Sequence, residues 1–347
     1  MSMRKIAAMS LFVTLLVSSL VLLSQTHAIA TEGEDFVGGL VVSTDVDQGA
    51  YVEWGANGVV LWEAEDTADW SLPTVVWLTD DGLGQVALPD GSRRYAQVTL
   101  PESVVGVQQG DEPYEPVGPR LPLDVPVWTN FSYWAPMAAG SVDMEAALDP
   151  ILAAYEGDRL SVSEYLLTEQ RLVVLDYFRR WAKKKDIDLW QYLNAYRGYE
   201  TNGEASHTLS DYRWEAFIGQ AVGAKGHVRF AYAIGPGHPE ATRWGGETLS
   251  LPDHREWTAS VNRSLRRFSR LLNGTPITFT WDDNLVVGNF GTATMLVNNH
   301  HGDDTTTVAV DIDGCAVSSS GQHLVGQVEL QPGDAIVQYR CVMRMMR

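Results

Sequence analysis

Eight short apolar runs alternate with helical stretches between residues 35 and 272, and the helical stretches are stronger in the second half of that span. The candidate strands are Gly38 to Ser43, Gly58 to Glu63, Thr74 to Thr79, Val104 to Gln109, Val125 to Phe131, Arg159 to Glu164, Asp188 to Ala195 and His227 to Ala233. Eight buried strands in a segment of this length fit a single (β/α)8 barrel. The connections in the first half are short and weakly helical, which predicts a barrel trimmed on that side. In the second half, Glu169 to Lys185 places Leu172, Leu175, Phe178, Trp181 and Ala182 at helical spacing, and Ser210 to Lys225 repeats the pattern with Trp214, Phe217, Ile218, Ala221 and Val222. Each is followed by a new apolar run, the rhythm of a parallel sheet. A last helix, Pro252 to Leu272, carries Trp257, Val261, Leu265, Phe268 and Leu272 on one side, with Arg263, Arg266, Arg267 and Arg270 read as a solvated face.

From Thr275 the pattern changes to strands alone: Ile277 to Trp281, Leu285 to Phe290, Thr294 to Asn298, Thr305 to Ile312, Gly326 to Leu330 and Ala335 to Tyr339. Turns such as Asp282-Asp283-Asn284 and Pro332-Gly333-Asp334 separate them. This predicts a small antiparallel β-sandwich over residues 275–341, packed directly on a barrel domain over 35–272. Residues 1–30 read as a signal peptide: Arg4 and Lys5 precede an apolar run from Ile6 to Leu23, and Ala28-Ile29-Ala30 has the small-x-small pattern of a cleavage site. The run is also long enough for an uncleaved anchor, the less favoured alternative. Cleavage implies a secreted or periplasmic protein with no stable membrane insertion. The two cysteines, Cys315 and Cys341, either close one disulfide there or remain two buried thiols, and a single pair is too sparse for a metal site.

The formal net charge is −19, and loss of Arg4 and Lys5 would leave 23 basic against 44 acidic residues. Such a balance argues against nucleic acid or anionic lipid as a partner and is compatible with a neutral sugar. The histidines show no metal-ligand spacing, no cofactor motif is present, and Gly235-Pro236-Gly237 lacks the Lys-Ser and helix start of a phosphate cradle. The stretch that carries chemistry is Val104-Val105-Gly106-Val107-Gln108-Gln109-Gly110-Asp111-Glu112-Pro113, a buried strand that ends in two acids where a barrel places its reactive groups.

That stretch resembles the strand-4 "vvGy-x-x-x-DEP" passage of bacterial glycoside hydrolases with β-galactosidase-like barrels. Trp214 to Ala233 resembles the family's passage from helix 7 into strand 8, Val261 to Arg266 resembles its final helix, and Leu285 to Asp334 is similar to the β-domain appended to such barrels. The resemblance spans residues 36 to 340 and is thin between 64 and 100. It implies that Glu112 is the acid/base; a partly apolar pocket and the neighbouring charge of Asp111 are expected to raise its pKa. It also implies a second Glu at the end of strand 7, where this chain has Leu189-Trp190-Gln191-Tyr192-Leu193-Asn194-Ala195 and no acid.

Glu164, closing strand 6, is the first candidate for the second carboxylate, with Glu63 and Glu200 behind it. Glycoside hydrolysis needs one carboxyl to protonate the leaving oxygen and another to attack or to activate water. Substrate contacts are expected from Asp111, Trp62, Asn130, Tyr133, Trp190, Gln191 and Tyr192, whose amide, hydroxyl and aromatic groups hold sugar hydroxyls and faces. Trp77, Trp128 and Trp134 extend the aromatic set. The competing expectation is a non-catalytic carbohydrate-binding or assembly protein on a barrel that lost the strand-7 acid.

Overall fold

A computed structural model describes residues 34–41, 48–62, 70–87, 93–113, 115–133, 143–165, 167–194, 208–233 and 252–341. Residues 1–30, read above as a signal peptide, and Glu63, Trp134, Glu200 and Gly235 to Gly237 lie outside these. Ten strands form the first sheet: β1 (Phe36–Val41), β2 (Val59–Leu61), β3 (Thr74–Leu78), β4 (Gly84–Ala87), β5 (Arg93–Ala96), β6 (Val104–Asp111), β7 (Val127–Ser132), β8 (Arg159–Ser163), β9 (Asp188–Asn194) and β10 (Ala224–Ala233). β1 pairs with both β2 and β10, and β2 pairs with β3, so β1, β2, β3, β6, β7, β8, β9 and β10 close into a parallel ring of eight. All eight expected strands are present, with the first shifted two residues toward the N-terminus.

Barrel strands are buried on both faces: β1 and β3 read as almost wholly apolar runs, and β7 is buried throughout although it carries Thr129, Asn130 and Ser132. Alternation still sorts their side chains. Phe36, Leu40, Val60, Val75, Trp128, Trp190, Tyr192 and Val228 fill the ring. Phe131, Leu160, Val162, Leu189 and Leu193 point outward into the helix layer.

That layer consists of α1 (Gln48–Glu53), α2 (Met144–Ala154), α3 (Glu169–Lys185), α4 (Leu209–Ala221) and α5 (Pro252–Ser269). Asp143 caps α2 by accepting from Ala146 N at 3.0 Å. Thr208 and Asp211 form a capping box at the start of α4. The first half of the ring is trimmed as expected. A two-stranded hairpin, β4–β5, takes the place of a helix after β3, and its four-residue strands were not anticipated. The arginines of α5 are not simply solvated: Arg266 and Arg270 both pair with Glu34, and Arg267 donates to Ser319 O.

Six antiparallel strands follow: β11 (Thr278–Trp281), β12 (Leu285–Asn289), β13 (Ala293–Asn298), β14 (Val308–Ser318), β15 (His323–Leu330) and β16 (Ala335–Tyr339), in the order β11-β12-β13-β16-β14-β15. A register break between Ile312 and Ala316 lets the β14–β15 hairpin fold over its own sheet, and Val310, Ile312 and Leu330 there meet Leu296 and Ile336 in the sandwich core. The opposite face, with Val286, Met295, Val297, Ala335 and Val337, joins the barrel's helix-layer core. Gly288 lies so close to α4 that an added Cβ would stand 2.1 Å from Ala221 O. Cys315 and Cys341 form a disulfide, with 5.3 Å between their Cα atoms. No helix among the described residues is long and apolar enough to cross a membrane.

Candidate active site

The carboxyl end of β6 departs from ordinary strand geometry. Gly110 has φ of +70°, and a side chain there would also meet Asp80 at 2.8 Å. Glu112 has φ of +47°, in the left-handed region, although it is not glycine and precedes proline, which favours extended backbone. Its N–H donates to Asn130 O at 2.7 Å, which fixes the turn against β7. A conformation of this kind costs about 1–2 kcal/mol and persists where the surroundings impose it, most often at sites of chemistry.

Around this turn, inward polar side chains from four adjacent strands form one network. Asp111 sits opposite Asn130, and Asn130 sits opposite Ser161. Asn130 Nδ2 donates to Asp111 Oδ1 at 2.7 Å and also to Ser163 Oγ, while Ser161 Oγ donates to Asn130 Oδ1 at 2.8 Å. Tyr192 OH donates to Gln108 Oε1 at 2.6 Å, and Gln108 Nε2 reaches Asp111 Oδ1 at 3.4 Å. Asn130 is buried within this network, so its Asn-Phe-Ser sequence is not a surface glycosylation acceptor.

Three carboxyl groups converge here. Solvent reaches Asp111 and Glu112 through the mouth, yet protein crowds closely around both. Burial, reinforced by the charge of Glu112, pushes the Asp111 carboxyl up to about 7 against the pull of the Asn130 hydrogen bond. Burial likewise raises Glu112; the hydrogen bond from Ser163 opposes this, and the charge of Glu164 adds to it. Glu164 is fully buried directly after β8, and its charge also reaches Tyr133, whose hydroxyl is raised by burial and by Glu145, Glu164 and Asp143. Tyr192 is held protonated by burial and by the charge of Asp111. The charge of Glu112 raises Asp111 and that of Glu164 raises Glu112, so the cluster holds its protons more tightly than separate carboxylates would.

Aromatic groups line one side of the mouth. Trp62 stacks on Trp77 with centroids 5.1 Å apart and planes within 4°, and Tyr95 of the hairpin tilts onto Trp77 at 6.0 Å. Trp190 lies elsewhere, at the amino end of the barrel interior, stacked on Phe36 at 4.6 Å and close to Trp128, with the Arg159 guanidinium over both indoles. It plugs the floor and does not line the mouth.

Gln191 faces the opposite way, into the helix layer. Arg171 Nη2 donates to its Oε1 at 3.3 Å, and its Nε2 contacts His227 Nδ1 at 2.8 Å. Gly219 of α4 leaves it room, since a Cβ there would lie 1.9 Å from Gln191 Nε2. Gln191 therefore touches no part of the cleft, because a strand residue between inward Trp190 and Tyr192 must point outward.

Ser161, Ser163 and Gln108 complete the network and were not among the expected site residues. Their signal was present: in Arg159-Leu160-Ser161-Val162-Ser163, small polar residues alternate with apolar ones, so the polar face lies inside the ring. Behind β9 and β10 lies a buried charge cluster with no sequence signature. Arg171 Nη1 is 3.1 Å from Glu215 Oε1, and Arg229 donates to Asn194 O at 2.9 Å while stacking on Tyr212. Burial raises the Glu215 carboxyl against the opposing pull of the two arginines. Glu215 also accepts from Asn194 N at 2.8 Å, and Asn194 Nδ2 in turn holds Tyr165 O at 2.9 Å, beside Glu164. No group of three or more His, Cys, Asp or Glu among the described residues is placed to hold a metal ion.

No protein-family model matches the chain, and no curated protein matches it. Solved structures similar to it include an Anoxybacillus α-amylase (TM-score 0.47, 8% identity, 90% of this chain and 100% of that one) and the α-amylase of H. orenii (0.46, 9%, 89% and 100%). The endo-β-1,4-mannanase of Thermotoga petrophila is similar at a TM-score of 0.43 and 8% identity, over 88% of this chain and 93% of that one. Scores this low carry no argument about chemistry. The barrel follows from the closed strand order of this chain itself.

Proposed function

We propose that this chain is an exported glycoside hydrolase that cleaves a glycosidic bond of an oligo- or polysaccharide by carboxylate acid/base catalysis. The observation that carries the proposal is Glu112: a glutamate in left-handed backbone at the carboxyl end of the fourth barrel strand, raised in pKa by burial and by the charge of Glu164. A carboxyl whose pKa is raised above the ordinary glutamate value holds its proton longer, which is what the proton donor in glycoside cleavage requires.

Glu112 gives its proton to the glycosidic oxygen, and the bond from that oxygen to the anomeric carbon breaks as the alcohol leaves. Glu164 either attacks the anomeric carbon, forming a glycosyl ester that water then cleaves while Glu112 takes that water's proton, or itself takes a proton from water that attacks the anomeric carbon directly. Asp111 and Asn130 are placed to hold a sugar hydroxyl, and Trp62 to face a sugar ring. The Cys315–Cys341 disulfide is consistent with export to an oxidising compartment.

A second proposal, a non-catalytic carbohydrate-binding protein, is favoured by the seventh barrel strand, where the inward residues Trp190, Tyr192 and Asn194 include no acid. Hydrolysis of a panel of aryl glycosides by the wild type and by Glu112→Gln separates the two. The hydrolase predicts turnover by the wild type and a loss of at least about a hundredfold in the variant. Equal rates in both proteins remove Glu112 from the mechanism, and an inert wild type that still binds oligosaccharide leaves the second proposal standing.

A further inference from the structure

We infer that the β4–β5 hairpin adds a sugar-binding subsite beside the carboxylates, and that the substrate is therefore a chain of neutral sugars rather than a single terminal sugar. The inference builds on the glycosidase proposal for the Glu112 mouth.

The hairpin stands where a helix would otherwise follow β3. Among the described residues it pairs to the barrel through the bridge Leu78–Gly84, at the carboxyl end of β3, so it prolongs the barrel wall at the mouth. One residue from that bridge, Trp77 on β3 comes opposite Gln85 on β4, and Gln85 is in register with Tyr95 on β5. On its other side β3 pairs with β6, where Trp77 is in register with Gln108, the residue that reaches Asp111. The aromatic stack is thus continuous with the carboxylate network.

The sheet order runs β6-β3-β4-β5. Three strand spacings, about 14 Å, separate the end of β6 from β5, more than one sugar ring spans.

Two further observations define the ligand. Tyr95 is 52% exposed, a large aromatic ring left open to solvent at the end of a stack whose inner members are the parallel indoles of Trp62 and Trp77. Aromatic faces of this kind take up the C–H face of a pyranose. At the foot of the stack, Trp77 Nε1 and Gln85 Oε1 are both buried without a hydrogen-bond partner, one a donor and the other an acceptor. Buried polar atoms of native proteins are rarely left so. A hydroxyl that turns the half-buried Gln85 side chain aside can accept from the first and donate to the second, and sugars present hydroxyls beside their apolar faces. A net charge of −19 and three carboxyl groups at the mouth disfavour uronic or sulfated chains, which makes the ligand neutral.

The test is binding, read by tryptophan fluorescence and calorimetry without turnover. Neutral oligosaccharides of one to six units, built from glucose, mannose, xylose or galactose, are titrated into wild type, Tyr95→Ala and Trp77→Phe. Tyr95 is exposed, so its loss spares the fold, which circular dichroism checks. In at least one series the wild type should bind four-unit chains about tenfold more tightly than single sugars, Tyr95→Ala should lose most of that gain, and Trp77→Phe, which keeps a ring but removes the N–H, should lose several-fold. Affinity independent of chain length in every series, or Tyr95→Ala binding long chains as tightly as wild type, overturns the inference. Length-dependent binding by a protein that hydrolyses nothing would keep the subsite and reject the hydrolase. Cleavage of aryl monoglycosides with no length dependence would do the reverse.

Discussion

Replacing Asp111 by Asn should make the protein more stable at pH 8 and leave it little changed at pH 4. The substitution keeps the volume and the Oδ1 that accepts from Asn130, and removes only the ionisable group. In the folded protein the Asp111 carboxyl titrates near 7, against 3.8 for an ordinary aspartate. A group whose folded pKa is raised binds its proton more tightly in the native state. Its stabilising contribution is complete below about pH 4 and is lost as pH rises through 7. At 1.36 kcal/mol for each tenfold in proton affinity, the rise amounts to at most roughly 4 kcal/mol. Solvent reaching the group through the mouth screens it, and about 1–2 kcal/mol is the working figure.

Urea denaturation of both proteins at pH 4, 6 and 8 measures the difference. The wild type should fall by that amount relative to the variant between pH 4 and 8, most steeply between 4 and 6, and level off above 7. Because Glu112 and Glu164 remain in both proteins, the difference between the two curves reports the proton that Asp111 holds in the cluster. A variant less stable than wild type at pH 8, or two parallel curves, would refute a crowded, proton-retaining mouth.

Other perturbations test other parts of the architecture. Glu215→Gln leaves Arg171 and Arg229 buried without their carboxylate, and chemical denaturation should show a loss of about 3–5 kcal/mol. Reducing Cys315–Cys341, which closes a loop with a sequence separation of 26, should cost on the order of 3 kcal/mol, seen as a lower thermal midpoint in reductant that Cys315→Ser/Cys341→Ser reproduces without it. Gly288→Ala drives a methyl into Ala221 O and should destabilise by about 1–3 kcal/mol in urea, with a chain as stable as wild type counting against the close contact.

The barrel was legible because strands buried on both faces are rich in apolar residues, and eight such segments in one stretch leave few other closures. The hairpin was not legible: Gly84 to Ala87 and Arg93 to Ala96 sit on the rim, where no face must be apolar, and four residues are too few for a period to show. Of the expected site residues, Asp111, Glu112, Glu164 and Asn130 meet in one place, because the ends of neighbouring parallel strands are neighbours in space. Gln191 could have been set aside from parity alone, since it cannot share a face with Trp190 and Tyr192. Trp190 needed depth as well as parity: at the start of β9 it lies one barrel layer below the mouth. The Arg171–Glu215–Arg229 cluster joins residues far apart in sequence, and nothing local distinguishes them from a solvated helix face.

Helix α4 has buried residues on every side, ten of its thirteen, because the barrel covers one flank and the sandwich the other. Trp214 donates to Asn299 and stacks on His301, and Asp211 both caps the helix and accepts from His301. The C-terminal unit thus acts as the outer wall of the barrel it follows. Cut away near residue 275, it would leave Val286, Met295 and Val297 without the core they complete, and the last segment before the eighth strand would be stripped of its cover. The sandwich cannot be exchanged as a cassette between proteins of this architecture, and it and the barrel should melt together in one transition.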